Sequence, residues 1–231
     1  MENLYNPKPS FEFGKIDASA CFEALNEKEK LILDESATWV DFKKGEVILK
    51  EGFAATHIMY MEKGLAALRV TNDNQQSTVS LIKANSFIGI ICTFACRNLN
   101  FSATALEETR VKIIDINLFN SFVKHNGEFA LRIMYHMSDI TNHIVHWLTR
   151  LKNKNIDGAL AILLLDFQSL YESDKFSVPF TRKEMAGMIG YSKESLINTL
   201  SKFNKEGIIK VSEKKIQILQ SDALKRIAKT G

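Results

Sequence analysis

The stretch Phe180-Thr-Arg-Lys-Glu-Met-Ala-Gly-Met-Ile-Gly-Tyr-Ser-Lys-Glu-Ser-Leu-Ile-Asn-Thr-Leu200 holds two helix beginnings separated by one turn. Thr181 opens the first. Its hydroxyl can accept from the amide three residues on, and Glu184, at that position, can reach back to the Thr181 amide, which makes a capping box. Met185, Ala186, Met188 and Ile189 form the inner side, and small Ala186 suits a close helix crossing. Gly190 allows positive φ where this helix ends. Ser192 caps the second helix, whose Leu196, Ile197, Leu200 and Phe203 are expected to pack inward. Helix over 181–189, glycine turn, helix over 192–206 is the helix-turn-helix pattern. A plain helical hairpin inside an enzyme carries the same local signals, so the surroundings decide.

Downstream, strands are expected at 208–212 and 215–219 around Glu213-Lys214. Lys210, Lys214 and Lys215 on this hairpin make a basic wing suited to phosphates. Residues 152–231 hold 14 Lys and Arg against 9 Asp and Glu, a net +5, whereas residues 1–151 hold 16 against 18, a net −2. A near-neutral front and a basic back fit double-stranded DNA as partner of the C-terminal part. In the motif, the second helix enters the major groove and its early outward residues read bases. Here these are Lys193, Glu194 and Asn198. Lysine can donate to guanine, glutamate can accept from cytosine N4, and asparagine can pair with adenine.

Upstream, Ile156 to Leu170 reads as a very apolar helix that must be covered on most sides. Asn153-Lys154-Asn155 reads as a hinge. From Phe119 to Lys152 a single long helix is expected. Ile133, Met137, Ile140, Ile144, Trp147 and Leu151 follow one another at spacings of 4, 3, 4, 3 and 4 residues. That heptad stripe favours a seam with a partner helix, hence a homodimer, over packing on the same chain. From Trp39 to about Asn117 short apolar runs (47–49, 57–61, 65–70, 79–82, 111–116) alternate with Gly, Asn, Asp and Lys clusters, the signature of a β-barrel or sandwich. Residues 17–38 read as one or two short helices capped by Asp17 and Asn26. The fold class is α+β. An antiparallel jelly-roll sensor (1–118) precedes a dimerisation helix (119–152) and a winged helix-turn-helix domain (153–231).

Hydrophobic residues at 45% and charged residues at 25% exclude wholesale disorder. No stretch approaches the roughly 18 uncharged apolar residues of a membrane span. Met1 to Phe13 lacks the apolar core of a secretory signal, and three cysteines argue against a disulfide framework, so a reducing cytoplasm is expected.

Residues 180–200 resemble the signature of the Crp/Fnr family of bacterial transcription regulators. The order of parts agrees over nearly the whole chain. The front half is similar to a cyclic-nucleotide-binding domain at Lys44-Gly-Glu-Val-Ile-Leu-Lys-Glu-Gly52, Met59-Tyr-Met-Glu-Lys-Gly64 and Phe87-Ile-Gly89. The resemblance implies base reading by Lys193, Glu194 and Asn198, phosphate contacts by Thr181, Arg182, Ser192 and Ser195, a roughly palindromic site, and contact with RNA polymerase. The third base-reading position is usually Arg, and Asn198 departs from that. An amide cannot fork onto guanine as a guanidinium does.

Members that respond to cyclic AMP carry, by the resemblance, a Glu, an Arg-Ser pair and a hydroxyl pair around the nucleotide. Here Ile90 stands at the Glu position, Asn100 or Phe101 beside Ser102 at the Arg position, and Ile144 and Val145 at the hydroxyls. A buried phosphate without its Arg is costly. The effector is therefore expected not to be cyclic AMP. The pocket of Gly89, Ile90, Ile91, Phe101, Ser102 and Ile144, with Phe94 nearby, suits an apolar or planar small molecule or none. Cys92 and Cys96, with only Cys21 besides, are too few for the family's iron–sulfur cluster and read as small loop residues or redox thiols. His125, His136, His143 and His146 gather on the long helix. Pairs of them could ligate haem, but no cofactor and no metal is expected. A cupin-type metalloenzyme would need clustered His ligands, and between Trp39 and Asn117 there is only His57. No nucleophile elbow appears, so no enzyme activity is expected. A DNA-binding protein with a ligand-free, constitutive sensor is the remaining alternative.

Overall fold

The structure is a computed structural model that describes residues 17–72, 75–95 and 98–231. Its front half holds two facing antiparallel sheets. One has the strand order β1 (Thr38–Phe42), β8 (Thr109–Asp115), β3 (His57–Lys63), β6 (Ser86–Ile88). The other runs β2 (Val47–Leu49), β7 (Ser102–Ala105), β4 (Leu65–Asn72), β5 (Gln75–Lys83). Met61, Ala66, Ile88, Phe101, Ala103, Ala105 and Val111 fill the space between them. The sheets stay open at their edges, so the jelly roll is a flattened sandwich and not a closed barrel. The apolar runs fall on β2, β3, β4, β5 and β8, except that Ile116 begins a helix. β7 reads Ser-Ala-Thr-Ala and carries no apolar run, yet all four residues are buried because β2 and β4 flank it.

Two short helices, α1 (Ser19–Glu23) and α2 (Glu27–Ser36), precede β1. Asn26 and Glu29 form a capping box on α2. Asp17 accepts from the Ser19 amide at 2.8 Å but lies one residue before the N-cap of α1, which is Ala18. After the sandwich the segment expected as a single helix divides into α4 (Ile116–His125) and α5 (Gly127–Leu151). Asn126 makes the break. Its side-chain oxygen accepts from the Phe129 amide at 3.0 Å, and its amide donates to the Ala24 carbonyl and to Glu29.

α5 has 25 residues and is roughly 37 Å long. The expected dimer seam is corrected here. Ile133 is buried in a core with Phe87, Phe119, Phe122 and Phe129, and Met137 and Ile140 pack against that core. Trp147 and Leu151 pack against the C-terminal core. These five residues face their own chain, while Ile144, between them, is 42% exposed. A heptad pattern marks an apolar face without saying what covers it. The opposite face exposes Leu131, Met134, Tyr135, Val145 and Leu148.

The hinge reading at 153–155 agrees with positive φ at Asn153 and with Asn155 capping α6 (Ile156–Tyr171). Arg150 on α5 meets Asp166 on α6 at 3.0 Å across this hinge. α6 is buried almost all round, under α8 (Lys193–Lys205) and α9 (Ser221–Thr230). The chain thus ends in a helix and not in the wing. Leu224 is buried and Ala223, Ile227 and Ala228 pack beside it, an i, i+3, i+4 pattern legible in the sequence. Between residues 172 and 179 the chain adds a third wing strand, giving the order β10 (Ile209–Ser212), β11 (Lys215–Ile218), β9 (Lys175–Ser177). α7 (Arg182–Met188) lies against β5, and Arg69 on β4 meets Glu184 at 3.1 Å.

Gly64 joins β3 to β4 at φ +105, and a Cβ there would lie 2.4 Å from Thr109 Oγ1 and 2.7 Å from the Glu108 carbonyl. Gly64→Ala is expected to cost about 1–3 kcal/mol of stability, read as a lowered urea midpoint. Gly127→Ala, where a Cβ meets nothing within 4 Å, should leave the midpoint unchanged or raise it. Burial beside Phe87, with ring centroids 5.4 Å apart, pushes the His136 pKa from 6.5 down to about 4, against the pull of Asp17. The unfolded chain then binds a proton between pH 6.5 and 4 that the folded chain refuses, so stability falls as the pH drops through that window. The loss is of order 3 kcal/mol. Asp166, whose burial raises its pKa to about 6 despite Arg150, acts in the opposite direction. Comparing urea midpoints at pH 7 and pH 5 in the natural protein and in His136→Phe isolates the histidine, and the variant should lose less on acidification.

Candidate nucleic-acid interface and the hollow behind it

The start of α7 is built as its sequence demands. Thr181 Oγ1 accepts from the Glu184 amide at 3.2 Å, and Glu184 Oε2 accepts from the Thr181 amide at 2.8 Å. Met185, Ala186, Met188 and Ile189 are buried. Gly190 turns the chain at φ +76. Ser192 then caps α8, accepting from the Ser195 amide at 3.1 Å. The Tyr191 hydroxyl donates to the Lys154 carbonyl and ties the turn to the hinge.

Leu196, Leu200 and Phe203 point into the core as expected. Ile197 does not: it is 39% exposed. It stands at i+3 from Glu194 and i+4 from Lys193, so Lys193, Glu194, Ile197 and Asn198 share one outward face. The two polar positions earlier in the helix carried that signal. An exposed apolar side chain here can meet a thymine methyl. Lys193, Glu194 and Asn198 are exposed.

Thr181, Ser192 and Ser195 gather at the two helix N-termini, where backbone N–H groups and the helix dipole favour phosphate oxygens. Lys210, Lys214 and Lys215 are exposed on the wing. Arg182 differs from the expectation of a simple phosphate contact. Its Nη2 donates to the Glu213 carbonyl at 2.6 Å at the wing turn. It fastens the wing to α7, while its Nη1 donates to Met185 Sδ at 3.4 Å.

Behind this reader lies a hollow of about 580 Å³. Its walls are β5, the Gly89–Ile91 turn with Asn100 and Phe101, the inner face of α5 from His136 to Trp147 with exposed Leu148 at the rim, and Gly187 and Met188 of α7. Of the expected pocket residues, Gly89, Ile90, Ile91, Phe101 and Ile144 line it. Ser102 does not, since its hydroxyl accepts from the Glu51 amide at 3.1 Å inside the sheet. Val145 lies on the outer face, and the Phe94 ring leans on Phe119 instead. Phe101 fits against Gly89, where a Cβ would come within 2.8 Å of the ring. The cation in the lining is Lys83, which also borders a second hollow beside Gly64 and Asn85.

His136 and His143 both face the hollow. Burial lowers both pKa values, aided at His143 by Arg150 and His146. Among the described residues no three His, Cys, Asp or Glu gather as a metal site. Burial pushes the Cys21 thiol up to about 11. Cys96 and the Cys92 side chain lie outside the described residues. Among the described residues no helix is long and apolar enough to cross a membrane.

Comparison with known proteins agrees with this arrangement. A cyclic nucleotide-binding domain model matches residues 39–126, and a Crp-like helix-turn-helix domain model matches residues 144–227. A CRP-like cAMP-activated global transcriptional regulator of Mycobacterium tuberculosis is 21% identical over 196 residues, 82% of this chain and 88% of its own. The nitrogen fixation regulation protein FixK of Bradyrhizobium diazoefficiens is 22% identical over 223 residues, 92% and 91% of the two chains. The structure of FixK2 from Bradyrhizobium japonicum has the same fold at a TM-score of 0.72 and 15% identity, covering 83% of this chain and 96% of that one. With sensor sandwich, long helix and winged reader matched in the same order, the chain belongs to the Crp/Fnr family of transcription regulators and carries that family's DNA-binding helix-turn-helix.

Proposed function

We propose that the chain is a homodimeric, sequence-specific DNA-binding regulator of the cytoplasm, switched by a small molecule other than cyclic AMP and working without a resident cofactor. The observation that carries this reading is the outward face of α8, where Lys193, Glu194 and Asn198 stand exposed, with Ile197 beside them. Contact with RNA polymerase is part of the same proposal, supported by the family resemblance alone.

The outer face of α5 supports dimerisation. Leu131, Met134, Ser138, Thr141, Val145 and Leu148 are spaced 3, 4, 3, 4 and 3 residues apart, and Val145 and Leu148 are more than half exposed. Apolar side chains at both ends of that heptad pattern, with small Ser138 and Thr141 between them, suit a parallel partner helix. A two-fold dimer sets two copies of α8 about one DNA turn apart on a roughly palindromic site.

The walls of the hollow argue against cyclic AMP. By the family resemblance Ile90 stands where a Glu would hold the ribose and Asn100 or Phe101 where an Arg would hold the phosphate; all three line the hollow, and a cyclic phosphate placed there would be desolvated without a guanidinium.

Duplexes selected from a random library by the natural protein provide the test. Glu194→Ala should relax base preference at one position, by about 1–3 kcal/mol per lost pair. Lys214→Ala should weaken binding evenly across sequences and lower the salt slope by about one. Equal base preference in Glu194→Ala and the natural protein would sink the assignment of α8 as reader. Leu148→Glu should turn the sedimenting species from dimer to monomer, and an unchanged dimer would move the seam elsewhere.

A further inference from the structure

Two readers that bind one palindrome must be held at a fixed distance and angle. Resting on the dimeric DNA-binding reading above, we propose that the Arg150–Asp166 pair is the ruler. Asp166 is a positioning residue that, through Arg150, fixes the angle between α5 and the reader and so sets the half-site spacing the dimer accepts.

The joint itself does not fix that angle. Lys154 and Asn155 already belong to the reader. The Lys154 carbonyl accepts from the Tyr191 hydroxyl, Lys154 Nζ donates to the Lys229 carbonyl at 2.8 Å, and Asn155 caps α6. That leaves Lys152 and Asn153 as the link, with Asn153 at φ +64. So short a link limits reach, yet its backbone torsions can still swing the reader. Apolar contacts resist such a swing only in part. Trp147 and Leu151 pack on the reader core, but the burial of apolar surface has no preferred direction. The Arg69–Glu184 pair joins α7 to the sandwich, and its side chains are 18% and 29% exposed, so parting them strands no buried charge.

The pair at the end of α5 does have a direction. Asp166 is the only charged residue between 158 and 167, in the apolar heart of α6. Its side chain is 3% exposed, and Arg150 Nη1 donates to its Oδ1 at 3.0 Å. The Trp147 indole, one turn earlier on α5, also favours the ionised carboxylate, so both of these anchors lie on the long helix. Stability does not account for a carboxylate in this place. Burial raises its pKa to about 6 even beside Arg150, so at pH 7 keeping it ionised costs the fold free energy. Apolar residues of similar size in place of a buried ion pair often fold as well or better. What the pair supplies is geometry: turning α5 away from α6 would leave a buried charge without its counter-ion, a far heavier loss than a displaced apolar contact.

The test uses the full-length protein and three duplexes: the palindrome it selects, that palindrome with two base pairs added between its half-sites, and a single half-site. The insertion turns one half-site by roughly 70° against the other. The natural protein should bind the lengthened palindrome about tenfold more weakly than the selected one. Asp166→Asn and the double variant Arg150→Met/Asp166→Leu should shrink that difference to about threefold, mainly by binding the selected palindrome less well. Arg150→Lys keeps the charge and should keep the discrimination. All of them should bind the single half-site as the natural protein does. The double variant should unfold at an equal or higher urea concentration at pH 7, so its lost discrimination does not come from a damaged fold.

The proposal falls if Asp166→Asn and the double variant both penalise the insertion as the natural protein does, or if half-site binding falls as far as palindrome binding. It also falls if the double variant unfolds at lower urea, which would make the pair a stabilising contact. Each of these leaves selection of a palindrome by the natural protein intact. A natural protein that sediments as a monomer, or selects no paired half-sites, would instead sink the dimeric regulator reading.

Discussion

α5 carries one apolar face along its 25 residues, and both cores of the molecule close on that face. Near its start, Phe129 and Ile133 enter the aromatic core of the sensor. At its end, Trp147 and Leu151 join the core of the reader. One rod thus belongs to two cores. Between them, from His136 to Leu148, it spans a gap that neither core closes, and this is where the hollow lies. The outer face leaves Val145 and Leu148 more than half exposed. Burial of apolar surface at roughly 25 cal/mol per Å² gives each of these contacts a strong drive, so the rod cannot be moved from one core without disturbing the other.

Much of this was legible in residues 180–206. Capping chemistry is local, so Thr181, Glu184, Gly190 and Ser192 could be read without knowing what surrounds them. The hinge at 153–155 and the core role of Leu160 to Phe167 were legible for similar reasons. What was not legible depends on neighbours far away in sequence. β7 is a strand because β2 and β4 border it; Ser-Ala-Thr-Ala has too little apolar character to announce that. The two faces of α5 are apolar at the same period, and only the placement of Phe87 and Phe129 decides which one turns inward. Ile133, Met137 and Ile140 therefore read as a seam when they are a core face. Ser102 looked like a pocket hydroxyl but belongs to a sheet, where Glu51 donates to it. α9 is short, and its apolar positions Leu224 and Ile227 take on meaning only once α6 is there to be covered.

The reader illustrates how one residue can serve structure and recognition at once. Arg182 lies at the start of α7, where phosphates are drawn, and also holds the turn of the wing through Glu213. Lys214, beside that turn, is placed by the same contact. Phosphate-facing groups gain from such anchoring, since a side chain already fixed loses little rotamer freedom on binding.

Glu184 carries the arrangement one step further. One carboxylate oxygen closes the capping box at Thr181, and the other meets Arg69 on the sensor sheet at 3.1 Å. Both partners are less than one-third exposed, so the pair is only partly screened by solvent. The group that completes the first turn of α7 is thus also the group that seats α7 on the sensor. The cap lies wholly within α7, so separating α7 from the sheet would cost the Arg69 contact and the packing on β5 but not the first turn of the helix. That is what a two-position reader requires: a joint that breaks between domains before anything breaks within one.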